Sequence, residues 1–431
     1  MKSISIKEVD QHAGEEVAIK GWLYNRRSSG GIQFLQIRDG TGLIQGVLKE
    51  DSVGTELFER MLDLKRESSM IVKGVVEEDE RAPIGYELSV SGVKVQHSVQ
   101  DEFPITPKEH GPGFLMDNRH LWIRAKGAAP VLRIRHEFLQ ALRDYFDQEG
   151  LIATEGPILT GVSVEGSTTL FETEYFGEEA YLTQSSQLYL EATAAALGSV
   201  YWIGPVFRAE KSKTRKHLTE FWMAEAELSW VEHEENLDFQ EDMVYSVVNS
   251  VVEERRDELE RLDVKTDRLL EMVEKPFPRI TYEKAVEIVN QSGINMETGE
   301  DFGAPGETAL GDHFDKPVFI EAFPKELKPF YMEPTPDGDK VYTADLIAPD
   351  GYGELIGGSQ RIDDLALLEQ RFEEEGLPKE PYEWYLDLRR YGSVPHSGFG
   401  LGVERTIAWI CNLDHVREAI PFPRQINRIY P

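Results

Sequence analysis

Gly204-Pro205-Val206-Phe207-Arg208-Ala209-Glu210, a basic loop from Lys211 to His217, and Glu220-Phe221-Trp222-Met223-Ala224-Glu225-Ala226-Glu227 form the stretch on which the fold turns. It reads as two β-strands joined by a loop. Successive side chains of a strand point to opposite sides, so Trp222, Ala224, Ala226, Leu228 and Trp230 share one apolar face. Phe221, Met223, Glu225 and Glu227 share the other. A face with two carboxylates beside an aromatic ring is a poor core and a good pocket floor. Arg208 carries a planar fork suited to phosphate or carboxylate. Glu210 can accept from an amine, Phe221 can stack on a purine, and the loop residues Lys216 and His217 are within reach of outer phosphates. Together they offer one group for each part of a nucleotide.

The rest of the chain fits a large globular enzyme. At 431 residues it is long enough for two or three domains. No apolar run is long enough to span a bilayer, and Met1 to Asp10 lacks the apolar core of a secretory signal, which points to the cytoplasm. The single cysteine, Cys411, excludes an intramolecular disulfide and a multi-cysteine zinc site. The net charge of −32 describes a solvated acidic surface and taken alone argues against nucleic-acid binding. The basic residues are clustered, however, at Arg26-Arg27, at Arg119 with Arg124, and from Lys211 to Lys216, so a polyanion can bind locally.

Residues 1–102 read as all-β. Gly31 to Arg38 and Leu43 to Leu48 flank the turn Asp39-Gly40-Thr41-Gly42, and further strands follow at 69–76 and 86–95, with a helix over 55–65 between them. Five strands with one interposed helix describe a small OB-type barrel. A four-residue hairpin loop sets Arg38 opposite Leu43 and Gln36 opposite Gln45. Leu35, Ile37 and Ile44 then enter the core, and Phe34, Gln36, Arg38 and Gln45 emerge together outside. An exposed ring among amides and arginine is how single-stranded bases are stacked and read.

Residues 103–125, marked by Pro104, Pro107 and Gly111-Pro112-Gly113, read as a linker. Over 131–150 apolar residues recur at helical spacing, and an extended segment with Pro157 follows, suited to a sheet edge. A long charged helix is expected over 232–262, and strands at 317–321, 329–332, 340–347 and 352–358. In Gly351-Tyr352-Gly353-Glu354 a carboxylate sits on a glycine-rich strand, where one or two such groups plus substrate phosphates typically hold Mg²⁺. Arg361 can hold a carboxylate or carboxamide. In His396-Ser397-Gly398-Phe399-Gly400-Leu401-Gly402-Val403-Glu404-Arg405, glycines alternate along a strand that runs into a helix carrying Arg405. That spacing is neither a Rossmann fingerprint nor a P-loop.

The helix with Pro157, the Phe-Arg-Ala-Glu hairpin and Gly400 to Arg405 resemble, in this order, motifs 1, 2 and 3 of class II aminoacyl-tRNA synthetases. The amino-terminal barrel places the resemblance in the aspartate, asparagine and lysine subgroup, and it covers essentially the whole chain. It implies an α+β fold, with an OB-fold anticodon-binding domain at 1–102 and an antiparallel catalytic sheet flanked by helices at 126–431. It also implies a homodimer through motif 1 and ATP-dependent activation of an amino acid, followed by transfer to tRNA. By the family pattern Arg208, Glu354 and Arg405 are catalytic: Arg208 meets the α-phosphate, Arg405 the γ-phosphate, and Glu354 holds Mg²⁺. ATP is further bound by Glu210, Lys216, His217, Phe221 and Gly402. The amino acid is bound by Glu165, Ser185, Gln187, Glu225 and Arg361. Arg26, Phe34 and Gln45 match the positions that read the anticodon, whose middle uracil the three amino acids of the subgroup share.

The resemblance also bears on the amino acid. Aspartate-specific members carry a lysine at the end of the run Gln-Ser-Pro-Gln-Leu-(Tyr/Phe)-Lys. Here Gln184-Ser185-Ser186-Gln187-Leu188-Tyr189 ends in Leu190. An anionic side chain left unpaired in a buried pocket costs on the order of several kcal/mol, whereas a carboxamide needs no cation. Glu225 can accept from its NH₂ and Arg361 can donate to its oxygen. Asparagine and tRNA(Asn) are therefore the expected substrates, with an aspartate-specific enzyme the runner-up. A paralogue making free asparagine would be expected to lack the barrel. A non-catalytic RNA-binding regulator would not need Arg208, Glu354 and Arg405.

Overall fold

The computed structural model describes residues 2–106, 108–164 and 169–431. They form two compact units divided between Gly111 and Pro112.

In the first unit, β1 (Lys2–Ile4), β2 (Glu16–Ser29), β3 (Ile32–Arg38), β4 (Leu43–Lys49), β5 (Ser69–Glu78) and β6 (Tyr86–His97) lie in the order β1-β2-β3-β4-β6-β5. A further pairing of β2 with β5 closes the last five strands into a barrel, and the short β1 runs parallel beside β2. The helix Thr55–Asp63 stands between β4 and β5, as the sequence predicts. Leu23, Leu35, Ile37, Ile44, Leu48, Val72 and Leu88 fill the interior. The hairpin register is the expected one, with Arg38 opposite Leu43 and Gln36 opposite Gln45. Asp39 fixes its turn by accepting from the backbone N–H groups of Thr41 and Gly42 at 2.7 and 2.9 Å.

In the second unit the helix Ala128–Gln148 precedes β7 (Ile152–Ala153), β8 (Leu159–Thr160), β9 (Phe171–Tyr175), β10 (Glu178–Leu182), β11 (Val200–Phe207) and β12 (Glu220–Ser229). After the long helix His233–Arg261 come β13 (Arg279–Thr281), β14 (Val318–Glu321), β15 (Thr343–Ala348), β16 (Gly353–Gln360) and β17 (His396–Gly402). Eight strands form one sheet, β13-β14-β15-β16-β17-β12-β11-β7, antiparallel except for the edge pairs β13–β14 and β11–β7. β8, β10 and β9 make a separate small sheet. Phe138, Leu142 and Phe146 of the first helix and Val244, Val248 and Val251 of the long one belong to the core that covers one face of the large sheet. That core takes in Ala224, Ala226 and Leu228, as strand alternation requires. The opposite face carries Glu225 and Glu227 and is left for the site.

Four readings of the sequence change. Trp230 does not join the apolar face: β12 ends at Ser229, and Trp230 adopts a φ of 65° and is 72% exposed. Residues 329–332 form only a single bridge, Met332 to Arg361, because Pro329 has no N–H for a ladder. The strand expected from 340 starts at Thr343. The segment expected to be a linker contains the helices Pro112–Asp117 and Arg119–Trp122. Its Pro112 stands in a first helical turn, where a missing N–H does no harm. Arg119 is buried there, donating to the carbonyls of Ile420 and Pro421 at 2.8 and 2.9 Å.

Candidate active site

β12, β16 and β17 lie side by side, and two adjoining cavities open on the face they share. The first is lined by Arg208, Glu210, Lys216, His217, Phe221, Glu354, Gly402 and Arg405, every residue the sequence assigns to ATP. The second is lined by Ser185, Gln187, Leu190, Glu225, Glu227, Lys328, Asp345 and Arg361. Arg208, Met223, Glu354 and Gly400 line both, so the two cavities meet at Arg208 and Glu354. Glu165, the remaining candidate for the amino acid, lies outside the described residues.

The β11–β12 pairing sets the first cavity. Phe207 faces Glu220 across the ladder, and Arg208 follows at the mouth of the loop with its guanidinium 5.5 Å from the centre of the Phe221 ring. The loop folds back rather than hanging free. Lys216 is buried, and its Nζ donates to Glu307 at 3.4 Å and to Thr308 at 3.3 Å. Burial lowers the Lys216 ammonium and raises the Glu307 carboxyl. His217 stands 3.7 Å from Glu210, and burial, then Arg405, lower its imidazole. Arg405 donates from Nη1 to the carbonyl of Glu354 at 2.5 Å. Its helix, Val403–Ile410, is anchored by Glu404, which meets Arg135 at 2.6 Å and accepts from the backbone N–H of Trp222 at 2.8 Å. One carboxylate thus ties the β17 helix to the helix Ala128–Gln148 and to β12.

The alternate glycines of β17 do different things. A Cβ on Gly398 would stand 2.1 Å from Glu227 Oε2 and 2.5 Å from the carbonyl of Ala226, so only glycine fits. A Cβ on Gly402 would meet nothing nearer than 3.8 Å, which leaves open space toward the first cavity. Gly353 makes room of another kind, because a Cβ there would lie 2.1 Å from Glu307 and 2.9 Å from Lys216 Nζ.

In the second cavity Glu225 accepts from the backbone N–H of Ser186 at 2.7 Å, and the Gln187 amide donates to Glu191 at 3.3 Å. Ser185 Oγ accepts from the backbone N–H of Gln187 at 3.0 Å. Leu190 is buried among Val200, Trp202, Val206 and Met223, and presents carbon to the cavity. Arg361 is buried with its fork on Glu227. Glu191, Glu227 and His396 are close enough together to suggest a metal, but Arg389 and Arg361 already occupy the two carboxylates.

Strand parity carries residues that the sequence reading missed. Asp345 on β15 pairs with Gly357 of β16, and its carboxylate lines the second cavity with Glu354. Burial raises Asp345 to about 7, Lys328 beside it opposes, and the Glu354 charge adds to the rise. Glu354 and Asp345 offer the oxygen donors that Mg²⁺ takes, but Lys328 Nζ holds both Asp345 oxygens at 2.9 and 2.7 Å, so a cation there would have to displace that ammonium from Asp345. The register shift opposite Leu346 and Ile347 leaves Leu355 as an extra residue on β16, so counting by two along β16 from Gly357, the partner of Asp345, does not reach Glu354. Lys328 and Glu307 arrive from distant segments with no local signal.

On the barrel, Phe34 and Gln45 share the outer face, as expected. Arg27, not Arg26, joins them: its guanidinium lies 4.6 Å from the Phe34 ring centre and donates to Gln45 at 3.2 Å. Arg26 instead donates to the carbonyls of Met61 and Leu64 at the end of the helix Thr55–Asp63. The cause is a bulge in β2 between Leu23 and Asn25, which sets Arg26 opposite the core residue Leu35 and Arg27 opposite Phe34.

A closed barrel with an aromatic outer face, and an antiparallel sheet holding an arginine on each of two neighbouring segments, are together the parts of a class II tRNA synthetase. The family model for tRNA synthetases class II (D, K and N) matches residues 112–426, and that for the OB-fold nucleic acid binding domain matches 17–96. The chain belongs to this class II family, whose members are ATP-dependent aminoacyl-tRNA ligases. It is 56% identical to the asparagine–tRNA ligase of Desulforamulus reducens and 54% identical to that of Symbiobacterium thermophilum, over the full length of both chains in each case. It is also similar to the crystal structure of asparaginyl-tRNA synthetase from Pyrococcus horikoshii complexed with asparaginyl-adenylate. That match has a TM-score of 0.96 and 45% identity and covers 100% of each chain. No helix among the described residues is long and apolar enough to cross a membrane.

Proposed function

We propose that the chain activates L-asparagine with ATP and transfers it to tRNA(Asn). Full-length identity to asparagine–tRNA ligases supports this, and Leu190 is the observation that carries the choice of amino acid. At the position where aspartate-specific relatives have a lysine, this cavity has an aliphatic wall, and the Glu225 carboxylate lines the same cavity. A carboxamide suits that pair and a carboxylate does not.

In the activating step a carboxylate oxygen of asparagine attacks the α-phosphorus of ATP in line. The phosphorus–oxygen bond to pyrophosphate breaks, and pyrophosphate leaves with the electron pair. A terminal ribose hydroxyl of tRNA then attacks the carbonyl carbon and AMP departs. The carboxylate is already a nucleophile, so activation needs no general base; positioning and charge stabilisation supply the rate. Arg208, at the junction of the cavities, stabilises the α-phosphate, and Phe221 stacks on adenine while Glu210 accepts from its amine. Lys216, His217 and Arg405 hold the outer phosphates, and Gly402 leaves them room. Glu354, joined by Asp345, would hold Mg²⁺, which neutralises phosphate charge when bound. Glu225 and Arg361 take the carboxamide, and Ser185, Gln187 and Glu165 the rest of the amino acid. Phe34, Arg27 and Gln45 stack on and read the anticodon. The active form is a homodimer through the helix Ala128–Gln148 and β7, working in the cytoplasm.

The test is ATP–pyrophosphate exchange with asparagine against aspartate. A clear preference for asparagine is expected, and an aspartate preference would hand the site to the runner-up.

A further inference from the structure

Gly351-Tyr352-Gly353 reads in the sequence as backbone opened for a ligand, but in the fold the space goes to a helix. The helix Gly303–His313, from the segment between β13 and β14, packs on the turn that joins β15 to β16. Three glycines let it approach. A Cβ on Gly311 would stand 2.5 Å from the carbonyl oxygen of Ala348, one on Gly351 3.2 Å from Thr308 Cγ2, and one on Gly353 2.1 Å from Glu307 Oε2. Gly353 also adopts a φ of 80°, where a side chain would be strained. Neither Glu307 nor Thr308 lines the first cavity, but Lys216 does, and the docked helix brings both residues to it.

Lys216 is 9% exposed, and its Nζ donates to Glu307 Oε2 at 3.4 Å and to Thr308 Oγ1 at 3.3 Å. A buried ammonium without acceptors is an uncompensated charge. Thr308 gives its own proton to the Ala304 carbonyl at 2.8 Å, so its oxygen faces Lys216 as an acceptor. Two of the three ammonium N–H groups are thus engaged, which leaves one for a phosphate oxygen. The two acceptors also fix a four-carbon stem that is otherwise flexible. Arg405 and Lys216 both stabilise the Glu307 charge, which offsets its repulsion of phosphate.

Resting on the reading of Lys216 as a ligand of the outer phosphates, we infer that Glu307 and Thr308 are positioning residues for ATP: the helix Gly303–His313 carries them to Lys216, and they aim its remaining N–H at the phosphates. Neither residue touches ATP in this account; both act through Lys216. A helix outside the hairpin and the β17 segment thereby completes the ATP cavity.

The experiment is pyrophosphate exchange on the full chain, with the KM for ATP and the KM for asparagine taken separately. Glu307→Gln should raise the KM for ATP about 5–20-fold and leave that for asparagine within about twofold. The deciding comparison sets Lys216→Met beside the double variant Lys216→Met/Glu307→Gln. With the ammonium gone, the Glu307 change should bring no further rise. A KM for ATP that stays or falls in Glu307→Gln overturns the inference, and so does a comparable further rise in the double variant. Should Glu307→Gln fail to fold, Thr308→Val takes its place. It must raise the KM for ATP in the parent and not in Lys216→Met, and any other pattern overturns the inference. A Lys216→Met chain that keeps the parent's KM for ATP would defeat the reading of Lys216 itself, an outcome separate from a failure of Glu307.

Discussion

Leu190 shows how one side chain can set the sign of a pocket. It sits on the helix Gln187–Leu197, is buried against Met223, and lines the second cavity together with Glu225. Leu190→Lys would add a long cation to that wall. Glu225 lines the same cavity and can accept from the ammonium there. The asparagine-to-aspartate ratio in pyrophosphate exchange should drop about 10–100-fold, on the scale of about 1.4 kcal/mol per decade, while the KM for ATP stays within about twofold. A ratio that does not move would mean the cavity is not read by charge. Residue identity was legible here because the chemistry is local: the run Gln184 to Leu190 carries it whole. Arg26 was the opposite case. Its neighbour Arg27 reaches Phe34 because of a bulge two residues upstream, and nothing in Trp22-Leu23-Tyr24-Asn25 announces an extra residue.

Among the elements, the β11–β12 hairpin and β17 were legible because each alternates strictly, and one buried face fixes the register. The helix Gln187–Leu197 was not, since its apolar residues surround it instead of forming a stripe, and it is enclosed on several sides. The joints between elements were hidden as well, because partners far apart in the chain make them. Glu404, Arg135 and the Trp222 N–H are the clearest joint, all buried or nearly so. Glu404→Ala would strand Arg135 without its carboxylate, and denaturant unfolding of the catalytic unit should show a loss of about 3–5 kcal/mol. Glu404→Gln keeps the acceptor for Trp222 and should lose less. The Glu191 network makes a second joint, between the helices Gln187–Leu197 and Glu383–Arg390 and β17, with Glu227 on β12 and Arg361, just past the end of β16, paired beside it. Burial pushes Glu191 up from its ordinary 4.5, but Arg389 and then His396 more than reverse this, so its folded value is lowered. Burial pushes His396 down from 6.5, and the hydrogen bond to Glu191 more than reverses that, so its folded value is raised. A lowered carboxyl contributes stability that is present above 4.5 and lost as pH falls through the folded value. A raised imidazole contributes stability that is present below 6.5 and lost as pH rises through its folded value. The joint should therefore be strongest between about pH 4.5 and 6.5. Thermal unfolding of His396→Asn should lose the part of the decline on the alkaline side that the parent shows. An identical slope in both proteins would assign that decline elsewhere.

On the scale of the whole molecule, the order barrel, motif 1, motif 2, motif 3 was readable from end to end because the quoted segments resemble, in that order, those of the class II family. The net charge of −32 was the least informative number, since the basic groups that matter are few and local. Two residues of the barrel make a direct test of the division of labour between the units. Arg27 and Phe34 sit on the barrel's outer face, in the unit that ends at Gly111, and every residue of the two cavities belongs to the unit that starts at Pro112. On the proposed function, activation of the amino acid needs only the cavities, whereas transfer needs tRNA held by its anticodon. Phe34→Ala removes a base-stacking ring, a loss of about 1–3 kcal/mol per base. Aminoacylation kcat/KM for tRNA should fall about 5–150-fold by that measure, with pyrophosphate exchange unchanged. Arg27→Ala should act in the same direction, because its guanidinium covers Phe34 and donates to Gln45. Arg26→Ala should separate from both. It removes the donor to the Met61 and Leu64 carbonyls, so its effect should appear first as a lower melting temperature of the barrel. A variant of Arg26 that melts like the parent but no longer charges tRNA would return that arginine to the anticodon and displace Arg27.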